Sequence, residues 1–417
     1  MKRISRVPTG GIWKFVWLIL SLLGFFVALD LLGEGFELLG DDAAETLLAT
    51  TENPLSGVFT GIIATTLVQS SSLSTSLTIA LVGSGQLSVA AAIPVVLGAN
   101  IGTSVTNTIV ALGHIRNKDE FKRAMTGSLV LDYFNIIAVF LFLVIELFTN
   151  LLSWSATGLA NATVGIGAPE LFDPLDYVVD PIAGFIVDVT QETGWIVLIA
   201  AFVILYICLQ GLVKSLRAIL NQDLEEKVRK YLFGSWWRAM LFGLVITVAV
   251  QSSSITTSVI VPLIALGVVL AIATLPYFLG ANIGTSTTAL IAAMSLASDG
   301  DPEGVASLTV AWVHMVFEFY AIATLFTIKY TRQLPVWLAE KSAGFVTAGR
   351  VAAIGYIAAV FYLIPLGVAY FTQDWDVAGF YNPVVPEEVR QLQEESANGD
   401  VQAEDIEAVD ETDSDSE

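Results

Sequence analysis

The sequence predicts an all-α integral membrane protein made of two inverted repeats, with re-entrant hairpins and broken helices. Three observations predict it: an apolar composition, loops whose charge alternates along the chain, and a 36-residue stretch that recurs 182 positions later.

Composition fixes the environment. Of 417 residues, 55% are hydrophobic and 14% charged, with mean hydropathy +0.72, against about 25% charged in soluble globular proteins. Residues 12–32 form an apolar run of about 20 residues, enough to cross a hydrocarbon core of about 30 Å. The run follows Lys2, Arg3 and Arg6, which suits a signal peptide or an anchor. Lacking a small-residue cleavage site and followed by further spans, it is expected to be a retained first helix. Cys208 is the single cysteine, so no disulfide framework exists. The net charge is −21, and residues 372–417 carry 15 Asp or Glu against one Arg. This stretch is expected to be a disordered, solvating tail, and no basic stripe invites nucleic acid.

Loop charge sets the topology. Acidic residues Glu34, Glu37, Asp41, Asp42, Glu45 and Glu52 follow the first span. Basic Arg116, Lys118, Lys122 and Arg123 come next, then an acidic loop from Glu170 to Glu192, then basic residues from Lys214 to Arg238. Asp299, Asp301 and Glu303 form another acidic loop, and Lys329, Arg332, Lys341 and Arg350 a last basic one. The positive-inside rule places the amino terminus and the basic loops in the cytoplasm. The acidic tail, leaving after a final span at 351–371, is then expected outside the plasma membrane. Asn161-Ala162-Thr163, in an outer loop, fits the N-glycosylation pattern.

The repeat decides the architecture. Gln69-Ser70-Ser71-Ser72 recurs as Gln251-Ser252-Ser253-Ser254, and Gly98-Ala99-Asn100-Ile101-Gly102-Thr103-Ser104 recurs as residues 280–286 at the same offset. Ungapped comparison of 69–104 with 251–286 gives 18 identities in 36 positions, where average composition gives roughly 3. Thr65 matches Thr247 and Pro94 matches Pro276. Copy one starts at an acidic loop and ends at a basic one, whereas copy two does the reverse, so the copies are inverted. Inverted repeats with matching polar interruptions mark a secondary transporter with its site near the bilayer midplane. The organisation is a first span and outer loop (1–52), repeat one (53–152), an outer loop (153–193), a linking span and cytoplasmic loop (194–234), repeat two (235–328), a cytoplasmic loop and last span (329–371), and the tail (372–417).

Neither repeat reads as simple crossings. Residues 55–68 would make only about 20 Å of helix, ending at the serine run, and residues 73–82 then lead to a glycine turn. We read a re-entrant hairpin with its tip at the serines, and a second break at 98–104. Copy two repeats both, giving four breaks that should converge, since irregular backbone at that depth must line a wet cavity or be buried in protein.

Those breaks carry hydroxyls and amides without Lys or Arg. A half-helix starting at Ser70, Ser71 and Ser72, or at Ser252, Ser253 and Ser254, offers free N–H groups and a positive dipole end to an oxyanion. The oxygens of Gln69, Gln251, Asn100 and Asn282 equally suit a hard cation. Thr65 and Thr247 lie one turn before each Gln and share its face. With no protein cation present, a bound sodium would neutralise the anion. The bland alternative is Ser and Thr bonding back to carbonyls or gluing helices.

At residues 62–365 the chain resembles the type II sodium–phosphate cotransporter family. The resemblance is carried by Gln69-Ser-Ser-Ser with Ser74-Thr75-Ser76, Ala91-Ala-Ile-Pro94, residues 98–112, Gln251-Ser-Ser-Ser, Pro262-Leu-Ile, and Asn282-Ile-Gly-Thr-Ser-Thr-Thr288. It implies phosphate bound at Ser70, Ser71, Ser72, Ser252, Ser253, Ser254, Asn100 and Asn282. Sodium, the one metal expected, would meet Thr65, Gln69, Ser72, Asn100, Thr103, Ser104, Asp132, Thr247, Gln251, Ser254, Asn282, Thr285 and Ser286. No cofactor is expected, and no catalytic residue. Asp132-Tyr133-Phe134-Asn135 matches a family motif whose Asp accompanies an extra sodium and electrogenic transport; Asp132 otherwise could pair with Arg123. Independently, an ionisable group inside an apolar span is functional by default. The chain departs from the family at Leu131, where a His is usual, and at Phe317-Glu318, where Phe-Asn is usual. Glu318 could adjust ion number, admit proton coupling, or snorkel. His314 is expected to bond locally and His114 to be solvated. The animal members' outer-loop disulfide cannot form, and their last span is expected to be missing. The rivals are a carrier for another oxyanion, a proton-coupled carrier, and a membrane hydrolase using Ser71 or Ser253, which needs an oriented base.

Overall fold

The computed structural model describes residues 11–49, 53–167, 177–219, 222–297, 300–372 and 381–391. Among these the regular elements are all helical, and six helices are long and apolar enough to cross a membrane, or seven if one bent pair counts as a span. The chain is a multi-pass membrane protein.

The first helix, α1 (Gly11–Ala49), packs along α9 (Gly194–Ile219). Between them lies repeat one: α2 (Pro54–Val68), α3 (Ser71–Gly83), α4 (Val89–Gly102), α5 (Val105–Leu112) and the long α6 (Lys118–Thr149), followed by α7 (Leu151–Thr163) and the short α8 (Asp180–Val189). After α10 (Gln222–Lys227), repeat two runs through α11 (Trp236–Val250), α12 (Ser253–Ala265), α13 (Ala271–Leu296) and α14 (Pro302–Ala321). The chain then continues through α15 (Lys329–Val346), α16 (Arg350–Ile357) and α17 (Ile364–Thr372). Local chemistry sets these starts. Asn53 accepts the N–H groups of Leu55 and Ser56 ahead of Pro54, Ser88 caps α4, and Asn117 caps α6 with Asp119 and Glu120 in its first turn.

Glycines hold each hairpin against its crossing helix. A Cβ at Gly61 would collide with the carbonyl of Val95, and one at Gly98 with that of Val58. In repeat two, Gly243 meets Tyr277 and Gly280 meets Met240 in the same way. Backbone therefore touches backbone between α2 and α4, and between α11 and α13, at positions 182 residues apart, the small-residue approach that membrane helices use.

The inversion is visible in what each hairpin's open end touches. Gly83 lies against Ser307 near Glu303, at an acidic end, whereas Ala265 accepts a 2.7 Å bond from Arg123, at a basic end. The same partition holds elsewhere. Lys14 bonds Ala218 (3.2 Å) and Gln210 bonds Gly113 (3.1 Å) at the basic end. At the other end Asn53 bonds the carbonyl of Thr372 (3.1 Å), and Gly165 bonds that of Ala297 (3.2 Å).

The second interruption is milder than the sequence suggested. Thr103 and Ser104 keep right-handed helical angles between α4 and α5, with one tightened turn from Ser104 N to Ile101 O, and α13 runs unbroken through residues 280–286. The hydroxyls of Thr285, Ser286 and Thr287 bond back to the carbonyls four residues earlier, so they are satisfied without unwinding the helix. Within the stretch expected to lack structure, residues 381–391 are described. Asn150 and Thr157 bond the carbonyls of Asn382 and Val384, and Tyr381 reaches the buried Glu146. Residues 392–417 lie outside the described residues, as do Lys2, Arg3, Arg6, Glu52, Glu170 and Asp299.

Candidate functional site

Two left-handed glutamines make the site. α2 ends at Gln69 with φ 52°, and α11 ends at Gln251 with φ 54°. A non-glycine residue at such angles is uncommon. Its matched occurrence in both repeats turns each chain sharply from one half-helix to the next. Ser70 and Ser252 then adopt extended angles and cap α3 and α12, accepting the N–H of Leu73 (3.2 Å) and Ile255 (3.3 Å). Each cap hydroxyl keeps a proton to donate. The first turns of α3 and α12 leave N–H groups without intrahelical acceptors, and these positive ends meet.

The two tips cross-bond reciprocally. Ser254 donates to the carbonyl of Gln69 (3.1 Å), Ser72 donates to that of Gln251 (3.5 Å), and the hydroxyls of Ser71 and Ser253 lie 3.4 Å apart. Beside them opens a cavity of about 250 Å³, lined by Gln69, Ser70, Thr106, Gln251, Ser252 and Ser254, with Asp30, Glu34 and Asp180 also on its wall. Among the described residues no Lys, Arg or His lines it. Ser71 and Ser253 are buried behind the cavity rather than on its wall. Among the described residues neither histidine bonds either serine: His314 faces Asn100 (3.4 Å) and His114 faces Glu120 (3.4 Å).

The remaining candidates form a second, deeper layer. Asn100 and Asn282 do not line the cavity. Asn135 on α6 donates to the Asn100 carbonyl (2.6 Å), and Asn282 donates to Asn135 Oδ1 (3.3 Å) and Glu318 Oε2 (3.4 Å). Thr65 and Thr247 are fully buried with hydroxyls that find no partner, each packed on a glycine of the crossing helix, Gly102 or Gly284. Thr103 and Ser104 use their protons on the preceding turn, to Ala99 and Ile101, as do Thr285 and Ser286 in copy two. The oxygen lone pairs stay open to a cation.

Asp132 is buried in α6 between these layers and α16. Its Oδ2 accepts the hydroxyl of Tyr356 (2.7 Å), and its Oδ1 has no partner. Arg123 is engaged with Ala265 instead. His114 differs from expectation: it is buried, because the turn at 113–117 tucks beside Glu120, which is itself paired with Arg217 of α9. Burial lowers the His114 pKa.

Sequence reasoning passed over Asn107 and Tyr356. Asn107 accepts Thr257 (2.9 Å) and Ser258 (3.1 Å), stitching α5 to α12. The repeat alignment does not announce it, since Asn107 faces Ala289 at the same offset. The counterpart of Thr257 is Thr75, and its hydroxyl is left without a partner. Tyr356 carries no repeat signal.

A model of the Na+/Pi-cotransporter family matches residues 25–171 and 204–373. The chain is 30% identical to sodium-dependent phosphate transport protein 2B of Pongo abelii, over 86% of this chain and 65% of that protein. It is 32% identical to protein 2A of Rattus norvegicus, over 84% of this chain and 66% of the relative. Against protein 2B of Bos taurus it is 33% identical, over 90% and 67%. The chain thus spans about 65% of the length of the first of these relatives. No solved structure matches it.

Proposed function

The chain belongs to the Na+/Pi-cotransporter family, and from that premise we propose that it imports inorganic phosphate coupled to sodium, by alternating access and with net movement of charge. The observation that carries the reading is the reciprocal bonding of two left-handed Gln breaks beside a cavity without a basic side chain. An anion there meets serine hydroxyls and helix N-termini, which supply too little charge to hold a phosphate alone. Sodium supplies the rest, so the two substrates bind together.

In this reading Ser70 and Ser252, whose protons remain free, donate to phosphate from the tips, while Ser72 and Ser254 tie the tips together and Ser71 and Ser253 lie behind them. Gln69, Gln251, Thr65, Thr247, Asn100, Asn282, Thr103, Ser104, Thr285 and Ser286 offer oxygens to sodium, and Asp132 holds the ion that makes the cycle electrogenic. The pseudo-symmetry of the repeats supports a rocking exchange between two access states. Its basic loops would face the cytoplasm.

The test is uptake of radiolabelled phosphate into proteoliposomes holding the full chain, with an inward sodium gradient, a potassium control and clamped voltage. Concentrative, sodium-dependent uptake that grows with inside-negative voltage is expected. Uptake independent of voltage would remove the electrogenic part, and no sodium-dependent uptake by folded protein would remove the substrate assignment.

A further inference from the structure

We infer that Glu318 is the carboxylate ligand of a buried sodium site, shared with the Asn135 amide oxygen, positioned by Asn282 and separate from Asp132. The inference rests on the sodium-coupled reading above and adds a ligand that reading does not use.

Matching residues of helices α6 and α14 lie 183 apart: Phe134-Asn135 corresponds to Phe317-Glu318. In repeat one Asn135 reaches the carbonyl of Asn100, and in repeat two Glu318 faces the amide of Asn282. One turn earlier the roles reverse. Asp132 is flanked by Ser104, whereas its counterpart Met315 places its sulfur 3.5 Å from the Ser286 hydroxyl. Each repeat therefore carries one buried carboxylate on its long helix, displaced by a turn between the copies.

Glu318 is fully buried. Its Oε2 accepts Asn282 Nδ2, and the same amide donates to Asn135 Oδ1, so Asn135 Oδ1 and the Glu318 carboxylate lie on one small cluster. Its Oε1 has no hydrogen-bond partner of either kind. Among the described residues no Lys, Arg or His forms an ion pair with it, and His314, one turn away, turns its Nε2 to Asn100. A bare buried carboxylate is strongly disfavoured, so it takes a proton or a cation. A proton on Oε1 would find no acceptor. A small cation satisfies both: it neutralises the charge and coordinates Oε1 with the facing amide oxygen. Hard oxygen donors of this kind suit an alkali ion rather than a transition metal.

The test uses the purified full chain in detergent, with binding of radioactive sodium measured by scintillation proximity in the absence of phosphate. Two variants are compared with the parent: Glu318→Gln, which keeps shape and loses charge, and Asn135→Ala, which removes the facing oxygen. Each is expected to weaken sodium binding at one site at least about tenfold and to shrink the sodium-induced rise in melting temperature. Unchanged sodium binding in either variant that folds overturns the inference, and Glu318 is then a protonated structural residue. Sodium binding that depends on Glu318 without phosphate uptake would sink the transport reading and leave this site standing. Phosphate uptake whose sodium dependence ignores Glu318→Gln would do the opposite.

Discussion

Ser254 donates its hydroxyl to the carbonyl of Gln69 across 3.1 Å, tying the tip of the second hairpin to the break of the first. Gln69 holds a left-handed conformation, and its carbonyl is turned out of the helix it ends. Ser254→Ala would leave that buried acceptor unpaired, at about 1–3 kcal/mol. We expect phosphate uptake efficiency at saturating sodium to fall about tenfold or more. Ser72→Ala should do less, because its bond to Gln251 is longer at 3.5 Å and half-buried. Equal loss in the two variants would argue that both serines act on phosphate alone.

The paired glycines make a sharper structural prediction. Gly98→Ala and Gly280→Ala each press a methyl into a backbone carbonyl, Val58 or Met240, which cannot swing aside as a side chain would. Overpacking costs about 1–3 kcal/mol in soluble cores, and a rigid backbone neighbour should put both variants at the upper end. Gly367→Ala, where a methyl meets nothing within 4 Å, is the control and should be neutral or slightly stabilising. Melting temperatures of the solubilised protein separate these outcomes.

The repeat made the architecture legible because duplication preserves spacing. Gln69 and Gln251, the serines after them and Gly98 with Gly280 all appear in the alignment, and inversion followed from setting the two copies against loop charge. Legibility failed where the copies diverge. Asn107 stands against Ala289, so its bonds to Thr257 and Ser258 have no mirror image and no pattern announces them. The polar run at 280–286 read as a break, although hydroxyls that bond back to their own helix leave it unbroken. Such self-satisfaction depends on side-chain rotamers, which composition does not encode. Tyr356 reaches Asp132 across 224 positions, a contact only the folded chain creates.

That contact separates charge from position. Asp132→Asn keeps the shape and the Tyr356 neighbour while removing the carboxylate. Voltage dependence of phosphate uptake should vanish in it, with sodium-dependent uptake retained. Tyr356→Phe keeps the charge but strips Asp132 Oδ2 of the tyrosine hydroxyl, so voltage dependence should persist. Half-saturating sodium should then rise about tenfold, the scale of a hydrogen bond to a charged group. Loss of voltage dependence in Tyr356→Phe would mean that the tyrosine, rather than the carboxylate, fixes the charge that moves.

His114 gives the fold a pH dependence at the basic end. Its imidazole is buried, with Nδ1 facing Glu120. Burial lowers its pKa below the ordinary 6.5, Glu120 opposes that shift, and Arg217 and Arg123 reinforce it. The folded protein therefore holds a neutral His114 at a pH where the unfolded chain already binds a proton. As pH falls below about 6.5 the unfolded state gains protons that the folded state refuses, and stability declines, by at most about 1.4 kcal/mol per pH unit for one group. Above that pH the contribution is constant. His114→Asn keeps a neutral polar group beside Glu120 and cannot titrate, so its melting temperature should fall less steeply between about pH 7 and pH 5. Parallel melting curves for the parent and His114→Asn would assign the acid sensitivity to another group.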